Sequence, residues 1–226
     1  MGEAATPQDL RRWSETLAAI ARTGLGFTES LYERERFEEI LKVAAEMRVA
    51  ADAGFDPEET VVEWMRGIGH GIAGYVTPKV TVGAVVGDDQ GRLLLVQRAD
   101  SGLWLYPTGW ADVGYSAAEV AVKEVREETG IACEPLGVLS VLDGMQLGFT
   151  QIPLYSVVFH CRALGGTLTA HPLETSAVGW FHEHELPEPI IAYERWGEQA
   201  WAAIRGQAPA VVWDPPRERR SAPEDG

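Results

Sequence analysis

The hydrophobic period of this chain changes once, near Pro78, and that change limits the possible folds more than any other feature. Before it, apolar residues recur at helical spacing: Leu10, Trp13, Leu17 and Ile20, then Phe37, Ile40, Leu41, Ala44 and Met47, then Val61, Val62, Trp64, Met65 and Ile68. After it come aliphatic runs, Val80 to Val86 and Leu93 to Gln97, joined by Gly87-Asp88-Asp89-Gln90-Gly91 as in a hairpin. A helical stripe cannot serve as a strand face, because side chains repeat at 3.6 residues in one and at 2 in the other. The spacing therefore predicts a small all-helical N-terminal domain over residues 1–75, followed by an α/β domain with a mixed sheet over residues 76–206.

Punctuation refines the picture. Thr23-Gly24 is expected to end the first helix, and Gly54 the second, which runs from Glu29 to Ala53. Asp56-Pro57 reads as an N-cap and first helical position, and Gly67, Gly69, Gly71 and Gly74 as a linker. Past the hairpin, Ser101 to Gly114 reads as a loop and Ser116 to Thr129 as a helix stopped by Gly130. Strands are expected at Leu136 to Leu142, Pro153 to Cys161 and Ala177 to Phe181, and a last helix from Pro189 to Arg205. Residues 207–226 read as a flexible tail, proline-rich and charged from Asp214 onward.

Charge narrows the function. Nineteen basic against thirty-four acidic residues leave −15 at pH 7, a field that repels nucleic acid. A phosphorylated small molecule remains possible if a divalent cation reverses the sign locally. No apolar run approaches the ~20 residues of a membrane span. The segment Met1 to Pro7 lacks the features of a signal peptide. Cys133 and Cys161 make no disulfide framework, so buried thiols and a cytoplasmic setting are expected. His70, His160, His171, His182 and His184 have no metal-ligand spacing.

One helix carries the chemistry. Ser116 with Glu119 three residues on forms a capping box, and Ala118, Ala121, Val122 and Val125 supply a packing face. Glu124, Glu127 and Glu128 stand at i, i+3 and i+4, so their carboxylates share one patch. They also lie toward the negative end of the helix dipole, where acids are unfavourable. A hard cation with oxygen ligands relieves that crowding, and Mg²⁺ suits it while leaving room for water and phosphate. Such an ion neutralises charge on bridging oxygens and lowers the pKa of a water. The same charges also read as a solvated acidic helix end, with Glu119–Lys123 and Lys123–Glu127 as surface pairs.

The surrounding residues tip the balance. Gly109, then Lys123-Glu124-Val125-Arg126-Glu127-Glu128-Thr129-Gly130-Ile131 at the matching distance, resemble the box of the Nudix hydrolases, with the lead-in Trp104-Leu105-Tyr106-Pro107. Tyr115 stands where that box usually has glutamate, Lys123 where it has arginine, and Thr108 where a first glycine is common. Gly109-Trp110-Ala111-Asp112-Val113-Gly114, together with Ile20 to Leu25 and Tyr32 to Ile40, is similar to the branch typified by CDP-choline pyrophosphatase. The resemblance implies a Nudix-like α/β/α sandwich, Mg²⁺ or Mn²⁺ as cofactor, a homodimer, and attack of water on a diphosphate. By matching positions it makes Glu124, Glu127 and Glu128 metal ligands, with the carbonyl of Thr108 completing the set, and Glu124 and Glu127 catalytic.

Other candidates lie outside the box. Glu174 is the best base on a later loop, against an ordinary loop glutamate. Asp143 is either a substrate contact or a turn residue. Arg98 suits a phosphate oxygen, the box glutamates or a surface ion pair. Trp104, Tyr106 and Trp110 either stack on a base or pack the core. The N-terminal domain reads as a dimer or lid element, with Leu31, Phe37 and Leu41 suited to a partner surface or to an internal core. The leading reading is hydrolysis of a nucleoside diphosphate linked to another moiety, CDP-choline-like. The rivals are ADP-ribose or nucleotide-sugar cleavage, and a nucleotide-sensing module loosened by Tyr115 and Lys123.

Overall fold

The computed structural model describes residues 5–52, 56–66, 68, 76–112, 114–147, 150, 152–207 and 210–216. The chain divides into two compact units, one built on residues up to Thr77 and one spanning Pro78–Arg217. The expected helix stop at Gly54, the linker glycines Gly67, Gly69, Gly71 and Gly74, and His70 lie outside the described residues.

The first unit holds α1 (Pro7–Phe27), α2 (Leu31–Ala51) and α3 (Pro57–Met65). Each begins on a side-chain cap: Thr6 with Asp9 as a reciprocal box, Ser30, and Asp56, whose carboxylate accepts from the Glu59 N–H at 2.9 Å. Ala18, Ala21, Leu25, Leu41 and Ala44 form the core, with Val61 and Trp64 of α3 against it. The first helix does not stop at Gly24. A Cβ there would sit 2.2 Å from the Phe37 ring, so the glycine admits an aromatic from α2 rather than breaking the helix. Phe37 and Leu41 thus face inward, whereas Leu31 is 78% exposed.

The second unit is an α/β/α sandwich. Its strands are β1 (Lys79–Gly87), β2 (Leu93–Arg98), β3 (Trp104–Leu105), β4 (Thr108–Trp110), β5 (Ile131–Asp143), β6 (Leu154–Gly166), β7 (Thr175–Phe181) and β8 (Val212–Trp213). The order is β3-β2-β1-β6-β5-β8, with β4 also on β1 and β7 also on β2. Pairings β1–β6 and β5–β8 are parallel and the rest antiparallel, so the sheet is mixed. Alternation along β1 and β2 sorts the cores. Val82, Ala84, Val86 and Leu94 pack with Val120, Ala121 and Val125 of α4 (Ala117–Thr129), while Val85, Leu93 and Leu95 pack with Trp196, Ala200 and Trp201 around α6 (Gly197–Ile204). Cys133 and Cys161 are free thiols buried on the α4 side.

Three segments differ from the sequence expectation, each because tertiary pairing outweighs local pattern. The loop at 101–114 contains β3 and β4, recruited by β2 and β1. The last helix begins at Gly197, not Pro189, because the Pro189 carbonyl and the Ile191 N–H both bond to Trp104 at 2.9 Å. The expected flexible tail contributes β8, whose Val212 and Trp213 pair with Ser140 and Val141. Just beyond it, the Asp214 carboxylate accepts from the Asp143 N–H at 2.5 Å and pairs with Arg195.

Candidate active site

The site forms where β4 meets α4. Strand β4 lies on β1 in the register Gly83–Thr108, Val82–Gly109 and Thr81–Trp110, and the Thr108 hydroxyl donates to the Val82 carbonyl at 3.0 Å. Helix α4 starts at the reciprocal Ser116–Glu119 box and ends at Gly130, whose φ of 73° is the left-handed cap that lets the chain turn into β5. Fixed at both ends, the helix buries Val120, Ala121 and Val125 on the sheet and turns Glu124 and Glu128 toward β4.

The two carboxylates are only 8% and 6% exposed. The Thr108 N–H donates to Glu128 Oε2 at 2.9 Å. Glu124 fills the space above Gly109: a Cβ there would lie 2.3 Å from the Glu124 Cδ. Glycine at 109 is thus required by close approach of a side chain, not by its φ. Burial pushes the Glu128 carboxyl up to about 8; the charges of Glu124 and Glu174 add to the rise, and the Thr108 N–H and Arg98 oppose it. Glu124 is raised too, by burial first and then by Glu127 and Glu174, with Lys123 opposing.

The three glutamates all line one cavity but differ in burial. Glu127 is half exposed and turns to the rim, where Lys123 Nζ meets its Oε2 at 3.0 Å. Helical geometry explains this: i and i+4 align on the inner face, while i+3 rotates outward. Lys123 also reaches Asp112 at 3.1 Å and Glu124 at 3.6 Å.

These groups line a cavity of about 730 Å³, within the range of small-ligand sites. Arg98 lines it too, but its guanidinium grips both oxygens of Asp100, at 3.0 and 2.5 Å, and that bond holds the Asp100 carboxyl down to about 2. Glu174 enters from the turn 172–174, whose backbone is tied to Ala99 by a 2.9 Å bond. Tyr106 lies at the cavity wall, 2% exposed, edge-on to Trp196 and bonded to Ser156, and burial pushes its hydroxyl up to about 12.

Two sequence candidates stand apart. Trp104 packs edge-on against Phe181 at 5.2 Å and is not among the residues lining the cavity, because β3 carries it into the α6-side core. Asp143 is not a lining residue either; its Oδ1 accepts from the Met145 N–H at 3.0 Å and starts the short helix α5 (Gly144–Leu147). The exposed aromatic at the cavity is Trp110, 48% exposed, with Lys79 Nζ 5.2 Å from its ring centre. Sequence reasoning did not single out Asp100 or Asp112 as site residues. The i, i+2 spacing of Arg98 and Asp100 was a usable signal; for Asp112 there was none, since its partner lies eleven residues away in sequence.

Among the described residues, no three His, Cys, Asp or Glu side chains already gather into a metal cage. The donor set nevertheless fits a hard divalent cation: the facing groups are oxygen donors, and two of the carboxylates are shielded from water, so a bound cation would supply the countercharge their ionised forms lack. Acidic side chains outnumber basic ones on this wall, beside a cavity large enough for a small nucleotide.

Comparison with known proteins agrees. The NUDIX domain matches residues 77–202, and the UDP-X-like N-terminal oligomerisation domain matches residues 8–64. The putative ADP-ribose pyrophosphatase YjhB of Bacillus subtilis (strain 168) is 36% identical over 177 residues, 77% of this chain and 81% of that protein. The crystal structure of UDP-X diphosphatase superposes with a TM-score of 0.55 at 27% identity, covering 93% of this chain and all of the other. An ADP-ribose pyrophosphatase from Streptococcus suis 89-1591 gives 0.53 at 32% identity, covering 61% of this chain and all of the other. The chain belongs to the Nudix hydrolase family and is a pyrophosphohydrolase of that family.

Proposed function

We propose that this enzyme hydrolyses the P–O–P bridge of a nucleoside diphosphate joined to a second small moiety, with Mg²⁺ or Mn²⁺ held by Glu124 and Glu128 together with the Thr108 carbonyl. The observation that carries the reading is the pair of buried carboxylates on one cavity wall, both raised above the ordinary glutamate range. When bound, the cation shields the diphosphate oxygens and makes a water more acidic. Glu174, from the turn 172–174, accepts the proton of the attacking water. A new P–O bond forms to water, the bridging P–O bond breaks, and the products are a nucleoside monophosphate and the phosphorylated moiety. Glu127 holds Lys123 at the rim, and Trp110 offers a ring face to the base.

The cavity wall contains Asp100, Asp112, Glu124, Glu127, Glu128 and Glu174 against Arg98 and Lys123, and both cations already have acid partners. That balance favours a far moiety that is cationic or neutral over one bearing a free phosphate, which fits choline best and a neutral sugar next. A second reading, ADP-ribose, is supported by the name of the 36% identical relative. We further propose a homodimer formed through the helical unit, where Phe27, Leu31 and Tyr32 are exposed. The test is a panel of CDP-choline, ADP-ribose and UDP-sugars with Mg²⁺ or Mn²⁺, read by product mass. Release of CMP and phosphocholine supports the first reading and AMP with ribose phosphate the second. Binding without turnover across the panel would place the chain with the nucleotide sensors instead.

A further inference from the structure

We propose that Asp112 is a positioning residue that keeps the Lys123 ammonium at the rim and away from Glu124. The inference rests on the reading of Glu124 as a metal-binding residue.

Lys123 Nζ stands among three carboxylates, and its two short contacts are to the outer pair, Asp112 at 3.1 Å and Glu127 at 3.0 Å. Its contact with Glu124, the buried acid, is longer at 3.6 Å. Asp112 pulls from the loop side and Glu127 from the helix side. The loop is not free to follow the lysine inward, because the Ala111 N–H donates to the Val80 carbonyl of β1 at 2.9 Å. Asp112 is thus a fixed acid, held by the sheet next to the site, and Lys123 spans from the helix to reach it.

An ammonium and a divalent cation compete for the same carboxylate lone pairs. A lysine carries no planar fork that would fix its direction, so its position is set by whichever acids surround it. Remove the charge at 112 and one of the two outward pulls disappears. The remaining acids are Glu127 and the more buried Glu124, and attraction strengthens as solvent is excluded. The ammonium then shifts toward Glu124 and occupies an oxygen that the divalent cation needs. Asp112 therefore acts on the metal site through Lys123.

The test is direct Mn²⁺ binding, followed by electron paramagnetic resonance without substrate, in the full-length wild type, Asp112→Asn, Lys123→Met and the double variant. The amide in Asp112→Asn keeps size and loop fit. Its Mn²⁺ affinity is expected to fall roughly three- to fivefold, the upper scale of one partly exposed ion pair. With the lysine gone, the same change is expected to matter less than about twofold, so the cycle is strongly non-additive. An equal loss in both lysine backgrounds overturns the proposal, since Asp112 would then act on the metal directly or through loop structure. Unchanged Mn²⁺ affinity in Asp112→Asn overturns it as well, with the metal reading intact. If wild type and Lys123→Met both fail to bind Mn²⁺, the reading of Glu124 falls and takes the positioning role with it.

Discussion

Replacing Glu128 by glutamine should make the metal-free protein more stable in alkaline solution, while removing its activity. In the folded chain this carboxyl is raised from an ordinary 4.5 to about 8, chiefly by burial. The native state therefore keeps a proton that the unfolded chain has already lost between those two values. Below about pH 4.5 both states are protonated and the group contributes nothing; as pH rises toward 8 stability falls, and above 8 the whole penalty is present. At 1.36 kcal/mol per pH unit the full displacement amounts to about 5 kcal/mol, and because Glu124 and Glu174 share in it, about 2–4 kcal/mol is expected for this side chain alone. Glutamine cannot ionise, and its oxygen can still accept from the Thr108 N–H. Urea unfolding with chelator near pH 4 and near pH 9 measures the effect: the variant matches wild type at the lower pH and exceeds it by about 2–4 kcal/mol at the higher. Saturating Mg²⁺ should erase most of the wild-type pH dependence, since a bound cation favours the ionised form. A wild type equally stable at both pH values, or a glutamine variant no more stable than wild type near pH 9, would refute the reasoning.

Two further substitutions separate site geometry from fold. Gly109→Ala places a methyl 2.3 Å from the Glu124 Cδ, so the flexible carboxylate must leave its place; kcat/KM should fall about 10²-fold, with stability changed by about 1 kcal/mol or less. Steady-state kinetics and urea midpoints measured on one preparation check both halves. Gly130→Ala has no such escape. Its φ is +73° and the added methyl would meet the Thr167 carbonyl oxygen at 2.4 Å, so unfolding experiments should show a loss of about 2 kcal/mol or more.

The parts of the fold legible in the sequence are those whose stability is local. The Ser116–Glu119 box, the Asp56 cap and the Gly130 stop are each determined within four residues, and each appears where its side chains require. The β1–β2 hairpin is equally local, closed by Asp88, whose carboxylate accepts from the Gln90 and Arg92 N–H groups at 3.0 and 2.8 Å. What escaped depends on distant partners. Gly24 looks like a helix stop until Phe37 is known to need its space, and Ile190, Tyr193 and Trp196 look like a helical stripe until Trp104 takes the backbone bonds on either side of Ile190. Strand β8 has a β-branched and aromatic core, Val211-Val212-Trp213, but so short a run takes its strand form only by pairing with β5, some seventy residues earlier.

The site divides along the same line, and the division explains why its charge pattern was visible while its working parts were not. A helix fixes the angular spacing of Glu124, Glu127 and Glu128, so their crowding is a property of the sequence alone. Whether crowding becomes a cation site depends on which members are deprived of water and which of base. Those facts belong to β4 and the loops: Gly109 lets Glu124 in, the Thr108 N–H draws Glu128 down, and Asp100 keeps the Arg98 guanidinium occupied. The outer acid is treated in the opposite way, left at the surface with Lys123 beside it. An acidic helix end with every carboxylate solvated would hold a divalent ion weakly, since water competes at each oxygen. Burying two and hydrating the third limits the folding penalty while leaving the inner oxygens with few competing waters. The same burial that raises Glu128 toward 8 means that a divalent ion at this wall would displace a proton, so its affinity would rise with pH up to about 8.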